Sequence, residues 1–325
     1  MKVFISADIE GIAGVMRPEQ CSPGTPEHQI ARGLMEQEVN AAIEGAFAGG
    51  ASEVVVADSH AAMTNLRAEN IDPRARLVQG KPRGLSMVEG LQQQQFDGLM
   101  FIGYHSAAGE HGVLAHTING RAFYRVRING EVMGESDIYA AAGAELNTPL
   151  WLVSGDDTLQ SWINRYYPAA DYACVKRAIS QTAAESLSPE AARNAIRLAA
   201  TQAVQKAHKE TTTRLQPPYE LELMVAKPVL ADLFCLIPGV VRKDAITVGY
   251  QSPTIAPIVS LLGAFSYLAT TQNLSNIQTA DTPLSIRNAG FSGVKTVLRW
   301  MTSPGEPQDA AKARAASGTR HGRLE

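Results

Sequence analysis

Two carboxylates set two residues apart, Asp8 and Glu10, close the apolar run Lys2-Val3-Phe4-Ile5-Ser6-Ala7, and Gly11 follows at once. The run reads as a buried strand, with Val3 and Ile5 on one face and Phe4 and Ala7 nearer the other. On an extended backbone, residues two apart point the same way. Carboxylates held together repel, so one takes up a proton unless a cation sits between them. A surface turn with two solvated acids is the plain alternative. Two further apolar runs end in similar chemistry: Glu53 to Ala57 runs into Asp58-Ser59-His60, and Gly98 to Tyr104 ends on His105. Gly134-Glu135 then opens an alanine-rich stretch. Either histidine alone reads first as a structural residue and only second as a ligand. Together, carboxylate oxygens and imidazoles form a ligand set for zinc and similar divalent ions. So many carboxylates suit two ions sharing one bridging Asp. Such a site acidifies a bound water and clamps both the attacking and the leaving oxygen, which is hydrolytic chemistry.

These side chains meet only if the elements that carry them share an edge. Strands and helices alternate: strands near 3–7, 53–57, 75–79, 98–105 and 150–153, with a helix over Glu27 to Ala48 whose Ile30, Leu34, Ile43 and Phe47 keep near-helical spacing. That alternation predicts an α/β fold with a mostly parallel sheet and flanking helices, in which all the strand ends lie on one side. The loop 12–26, with three prolines and two glycines, is long enough to fold over a site. Asn129-Gly130 between alternating residues predicts a hairpin over 122–132. Ser188-Pro189 marks a helix start running to about Lys209. Strands near 172–176, 219–226 and 245–250, with a helix at 231–236, make a smaller C-terminal α/β unit. The expected division is 1–165 for the ligand-bearing domain, 166–272 for the second domain, and a weakly patterned, disordered tail over 273–325.

The chain has 325 residues, 45% hydrophobic and 19% charged, with a net charge of −3. That is ordinary for a soluble enzyme and provides no basic field for nucleic acid. The acidic motif follows Lys2 directly, which is no signal peptide. Three scattered cysteines, Cys21, Cys174 and Cys235, make neither a zinc knuckle nor a disulfide framework, so a cytoplasmic location is expected. The apolar stretch Thr254 to Thr271 is broken by Pro257, Ser260, Gly263 and Ser266 and has no flanking Lys or Arg. A buried core helix is expected there and no membrane span.

Ser6-Ala7-Asp8-Ile9-Glu10-Gly11-Ile12-Ala13-Gly14, Asp58-Ser59-His60, Ser86-Met87-Val88-Glu89-Gly90-Leu91, Phe101-Ile102-Gly103-Tyr104-His105 and Gly155-Asp156-Asp157 together resemble the DppA-type D-aminopeptidase family of zinc peptidases (peptidase family M55). Val175-Lys176 followed by Leu187-Ser188-Pro189 fits as well, and the likeness runs over roughly residues 1 to 270. The resemblance implies a di-zinc centre held by Asp8, Glu10, His60, His105 and Glu135, with Asp8 bridging. Glu135 is preferred over Glu131 because it sits in the Gly-Glu pair that opens the helix. It further implies a catalytic histidine about a dozen residues after the Gly-Tyr-His strand. His116 fits that place, with His111 as the competitor. Asp58 either supports a ligand histidine or caps its turn, and Asp156 and Asp157 are structural or orient substrate. The implied activity is removal of N-terminal D-residues from short peptides such as D-Ala-D-Ala, by a ring-shaped homo-oligomer, a decamer. A metal-dependent amidohydrolase of another small amide, or a non-catalytic peptide-binding protein linked to uptake, are the alternatives. One departure is Ser180-Gln181, where the family carries Ser-Arg, a position where an arginine would meet a substrate carboxylate or a neighbouring subunit.

Overall fold

The computed structural model describes residues 1–281, with side chains through residue 272. In chain order the elements are β1 (Lys2–Ala7), α1 (Pro18–Cys21), α2 (Pro26–Ala48), β2 (Glu53–Asp58), β3 (Ala75–Val78), β4 (Gly98–Ile102), β5 (Phe123–Ile128), β6 (Glu131–Val132), α3 (Glu135–Glu145), β7 (Leu150–Asp156), α4 (Asp157–Tyr166), β8 (Asp171–Ser180), β9 (Ala183–Ser186), α5 (Pro189–Lys206), β10 (Tyr219–Val225), α6 (Pro228–Phe234), β11 (Val241–Arg242), β12 (Thr247–Ser252) and α7 (Ile255–Asp281).

The first sheet has the order β3-β2-β1-β4-β7-β8-β9. Its strands run parallel except β9, which returns antiparallel beside β8. Ala7 lies opposite both Asp58 and Ile102, so β1, β2 and β4 finish level and their next residues share one edge. That edge is where open α/β sheets hold their ligands. The second sheet, β11-β12-β10-β5-β6, is antiparallel throughout. Its hairpin β5–β6 turns at Asn129 and Gly130, both with positive φ (55° and 81°), as a two-residue primed turn requires. The α/β class, mostly parallel with flanking helices, is as expected.

The boundary expected at residue 165 separates neither sheet. Strands β8 and β9 lie beyond it and extend the first sheet, while β5 and β6 lie before it and join the second. Val126 and Ile128 of β5 share one buried face with Leu221 and Leu223 of β10, so the antiparallel strands need each other for cover. Residues 1–272 cluster as one unit. Of the tail expected at 273–325, residues 273–281 continue the backbone of α7, and 282–325 lie outside the described residues.

Each strand of the first sheet feeds two cores. Val3, Ile5 and Ala7 face α2 and α5, and Ala7 thus joins Val3 and Ile5 instead of Phe4. Phe4 faces the opposite way, toward α3, α7 and the second sheet. Burying a side chain the size of Ile or Phe stabilises the fold by about 1.5–3 kcal/mol, so β1 alone anchors both layers. Helix α2 starts as its sequence signals, with Thr25 Oγ1 accepting from His28 N–H and Pro26 in the first turn. Of the four residues with helical spacing, Ile43 is fully buried, Leu34 and Phe47 pack half-buried against the core, and Ile30 is 66% exposed. Ala31, Met35, Val39, Ala42 and Ala46 are buried as well. The helix packs closely on α5: a Cβ on Gly45 or Gly49 would overlap the carbonyls of Arg197 or Thr201.

Two further elements bear on the site. Helix α4 was not foreseen, although Asp156 caps it by accepting from Leu159 N–H, and Leu159 and Ile163 form its buried stripe. Helix α7 contains an 18-residue stretch, Ile255–Gln272, long and apolar enough to cross a membrane by length and composition. One face of that stretch, Ile255, Ile258, Val259, Leu262, Phe265 and Ala269, packs into the core, and Tyr267 on another face is exposed.

Candidate active site

The loops that follow β1 and β4 are sewn together. Asp8 N–H donates to Ile102 O at 2.8 Å, and Gly11 N–H donates to Gly103 O at 2.7 Å. The crossing leaves no room for a Cβ: one on Gly11 would overlap the Tyr104 carbonyl, and one on Gly103, whose φ is +74°, would overlap the Asp8 carbonyl. This close approach brings Asp8 and Glu10 beside His105. His60 arrives from the end of β2 in a turn held by Asp58. Its Oδ2 accepts from the N–H groups of Asn65 (2.5 Å) and Leu66 (2.7 Å), and its Oδ1 accepts from Asn65 Nδ2 (2.8 Å). Asn65 Nδ2 also donates to His60 O at 2.8 Å. Asp58 therefore caps the turn that carries His60. Glu135 is the first residue of α3, where the helix N-terminus favours a carboxylate. Its Oε1 accepts from Ile118 N–H at 2.6 Å. Two residues on, buried Asp137 fixes the start of that helix by accepting from Gly134 N–H, Trp162 Nε1 and the Tyr167 hydroxyl.

These elements place five side chains against one another. His60 Nδ1 lies 3.2 Å from Asp8 Oδ1 and 3.1 Å from Glu10 Oε2. His105 Nε2 lies 3.3 Å from Asp8 Oδ2 and 3.5 Å from Glu135 Oε2. Asp8 thus turns one oxygen to each imidazole. All five are buried. The far nitrogen of each ring is occupied: His60 Nε2 donates to Cys21 O at 2.7 Å, and His105 Nδ1 donates to Ser106 O at 3.0 Å. A ring held this way keeps its near nitrogen free as a lone pair for a metal, and such backing of ligand histidines is a general feature of metal sites. Two buried atoms in the cluster, Glu10 Oε2 and His105 Nε2, have no hydrogen-bond partner. Buried polar atoms are nearly always satisfied, so orphans aimed into a carboxylate–imidazole cluster fit a divalent cation.

The charges show the same need. Burial, and then the neighbouring Glu10 charge, push the Asp8 carboxyl up. Burial also works to raise Glu10 and Glu135, but the facing charge of His60 on Glu10, and of His105 on Glu135, outweighs it and holds both below the usual carboxylate range. Burial works to lower both histidines, but the Glu10 charge on His60 and the Glu135 charge on His105 hold them well above their ordinary value. Protons on the two rings therefore occupy the places where cations would neutralise three carboxylates. Two overlapping groups, Asp8-Glu10-His105 and His105-His116-Glu135, bring their ligand atoms within 4.8 Å of one another.

His116 stacks on His105, with ring centroids 4.2 Å apart, and its Nε2 lies 3.9 Å from Glu135 Oε1. Its Nδ1 donates to Leu114 O at 2.9 Å, so the nitrogen facing the cluster is free to take or give a proton. His111 is exposed and lies off the cavity. Glu131 is exposed and pairs with Arg214 at 3.0 Å, away from the cluster. Asp156 is used by helix α4 and by Val113 N–H, and Asp157 accepts from Ala178 N–H, so both are structural. A cavity of about 530 Å³ opens over Asp8, Glu10, His60, His116 and Glu135, within the range of about 300–1,000 Å³ typical of small-ligand sites. Gln181, at the departure from the Ser-Arg pattern, lies on its wall.

Lys176 was not foreseen as part of the site. It sits on β8, 3% exposed, and its ammonium donates to the carbonyls of Glu10 (2.5 Å), Ile12 (3.1 Å) and Val15 (2.5 Å). Burial pushes it down to about 8. A lysine inside an otherwise buried strand was the visible signal, but its partners lie more than 160 residues earlier in sequence. Removing it leaves three buried carbonyls without their donor, at about 1–3 kcal/mol for each unsatisfied group. Lys176→Met is expected to lower the unfolding free energy by about 3 kcal/mol and zinc affinity by about 10–100-fold, the range for supporting groups around a metal. Denaturant unfolding and competition with a chromogenic chelator would read these two effects, and an unchanged zinc affinity would separate the lysine from the centre.

Comparison with known proteins identifies the family. A family model described as D-aminopeptidase matches residues 1–264. A D-aminopeptidase of Bacillus subtilis (strain 168) is 34% identical over 257 residues, which span 78% of this chain and 92% of that protein. A solved structure, described as the Zn-dependent D-aminopeptidase DppA from Bacillus subtilis, a self-compartmentalizing protease, matches with a TM-score of 0.79 at 30% identity, covering 83% of this chain and 98% of that one. With a family match over four-fifths of its length and a shared fold, the chain belongs to the D-aminopeptidase family of peptidases.

Proposed function

We propose that this metal-dependent D-aminopeptidase uses two zinc ions to remove N-terminal D-residues from short peptides, with D-Ala-D-Ala as the simplest substrate. The observation that carries this reading is Asp8. Its two oxygens face two different imidazoles, each backed by a carbonyl so that the near nitrogen is free. One ion would be held by Asp8, Glu10 and His60, and the other by Asp8, His105 and Glu135. When bound, the pair supplies Lewis-acid polarisation of a carbonyl and lowers the pKa of water.

The remaining steps fall to the chain's own residues. His116, backed by Leu114 O, is placed to move a proton at Nε2 during formation and collapse of the tetrahedral centre. The cavity walls over Met63, Met87, Leu114 and Ile118 limit water around the scissile bond and pack substrate side chains. The zinc dependence and the D-residue preference are supported by the relatives described above. A closed homo-oligomer, a decamer, goes with the self-compartmentalizing description of the structural relative. Three free cysteines go with a reducing, cytoplasmic setting.

The direct test is release of free D-alanine from D-Ala-D-Ala by the purified chain, with L-Ala-L-Ala and a chelator-treated sample alongside. The expected result is release from the D-peptide alone, lost with chelator and restored by zinc. No release from zinc-loaded protein would leave a metal hydrolase of another small amide, and release from both peptides would remove the stereochemical preference.

A further inference from the structure

The cavity lining holds charges of both signs. Asp8, Glu10 and Glu135 belong to the cluster already described, and the lining residues include two cations, Lys81 and Arg121, both solvent-exposed. Among the described residues, neither cation has an ion-pair partner or a side-chain hydrogen bond, and the Lys81 ammonium lies 5.7 Å from the Tyr267 ring.

Both cations are backed by one element. The Lys81 ammonium lies over Tyr267 of α7, and Ser260 of the same helix donates to Gly84 O at 2.7 Å, holding the loop that carries Lys81. Asn119 Nδ2 donates to Ser266 Oγ at 3.1 Å, and Asn119 Oδ1 accepts from Arg121 N–H at 3.2 Å, holding the turn that carries Arg121. Helix α7 therefore contacts both of the loops that carry these cations. Desolvation and the neighbouring Arg83 press the Lys81 ammonium down from its ordinary value, while the charges of Glu135 and Asp8 pull it back up. Gln181 and Thr182, on the wall as well, bring no charge.

A cavity lined both by a carboxylate–imidazole cluster and by two cations without an ion-pair partner complements a small zwitterion. A short peptide is such a molecule: an amine and a scissile carbonyl at one end, and a free α-carboxylate one or two residues away. We propose that Lys81 and Arg121 form a subsite for the free C-terminal carboxylate of a dipeptide or tripeptide. The proposal rests on the peptidase reading and adds to it that the enzyme selects complete short peptides over peptide amides and over the N-termini of longer chains. Charge-assisted hydrogen bonds are the strong ones, and a carboxylate is a good acceptor for both cations.

The test compares D-Ala-D-Ala with D-Ala-D-alaninamide, which keeps the scissile bond and removes the carboxylate charge. The readout is the ratio of kcat/KM for the acid over that for the amide. In the wild-type chain the ratio is expected to exceed about ten, and in Lys81→Met and Arg121→Met it should fall about tenfold or more, through KM for the acid. Lys81→Arg, which keeps the charge, is expected to retain most of the preference. A ratio that stays the same in both Met variants overturns the subsite, even where both variants lose activity on both substrates. A wild-type enzyme that cleaves acid and amide equally well also overturns it while leaving the peptidase reading intact. Failure of the wild-type chain on both compounds would instead sink the peptidase reading, and the subsite with it.

Discussion

Asp8→Ala is expected to leave the purified chain with little bound zinc and to lower kcat/KM for D-Ala-D-Ala by at least about 10³-fold. Asp8 faces both His60 and His105, so its loss removes one ligand from each half of the centre. A metal acting on a carbonyl contributes several kcal/mol of transition-state stabilisation, and each 1.4 kcal/mol is about tenfold in rate. The variant should fold, because in the metal-free chain Asp8 is a buried carboxylate pushed up by burial and by Glu10, and it contributes little to stability there. Elemental analysis, peptide kinetics and thermal unfolding check the three parts. A variant with full zinc content and near-normal turnover would remove Asp8 from the centre. Glu131→Ala is the matched control, since that carboxylate pairs with Arg214 away from the cavity, and it should keep both zinc and activity.

His116→Ala is the second large effect, and it separates chemistry from ligation. Its Nε2 lies 3.9 Å from Glu135 Oε1, close enough for proton transfer through a substrate atom or a water, and also close enough for His116 to belong to a ligand group with His105 and Glu135. As an acid–base residue its removal is expected to lower kcat by about 10²–10⁴-fold with both zinc ions retained. KM should change little. Loss of one equivalent of zinc would instead make His116 a ligand. Unchanged turnover would mean that the proton is handled elsewhere. His111→Ala, in the exposed loop nearby, should leave both quantities unchanged.

The clustering of the candidate residues was largely legible because they follow a topological rule. Asp8, His60 and His105 come at the ends of apolar runs, and a parallel sheet gathers such ends whatever their spacing in sequence. Glu135 was named through the family resemblance, and its place in the first turn of α3 puts it beside His105. Asp58 could not be settled by such reasoning, since capping its turn and supporting His60 ask for the same residue type. Its bonds to Asn65 and Leu66 show the cap. The residues that escaped act across long separations. Lys176 reaches carbonyls near the start of the chain, and Lys81 and Arg121 line one cavity from loops that both touch α7. The same limit applies to the fold. Pairing of Leu221 with Ile128 joins two segments read as separate units, because alternation shows that a strand has a buried face and does not show which strand covers it.

Hydrophobic spacing placed helix α2 correctly, and three of its four marker residues face the core: Ile43 is fully buried, and Leu34 and Phe47 pack half-buried against it. Ile30 is the exception at 66% exposed. The spacing did not show that Gly45 and Gly49 lie against α5, where the two backbones approach too closely for a Cβ.

The most direct measurement is diffraction at the zinc absorption edge from crystals of the zinc-loaded chain. The expected result is two anomalous peaks per subunit, one among Asp8, Glu10 and His60 and the other among Asp8, His105 and Glu135, with Asp8 shared. A single peak, or peaks away from these five side chains, would contradict a two-zinc centre at this strand edge.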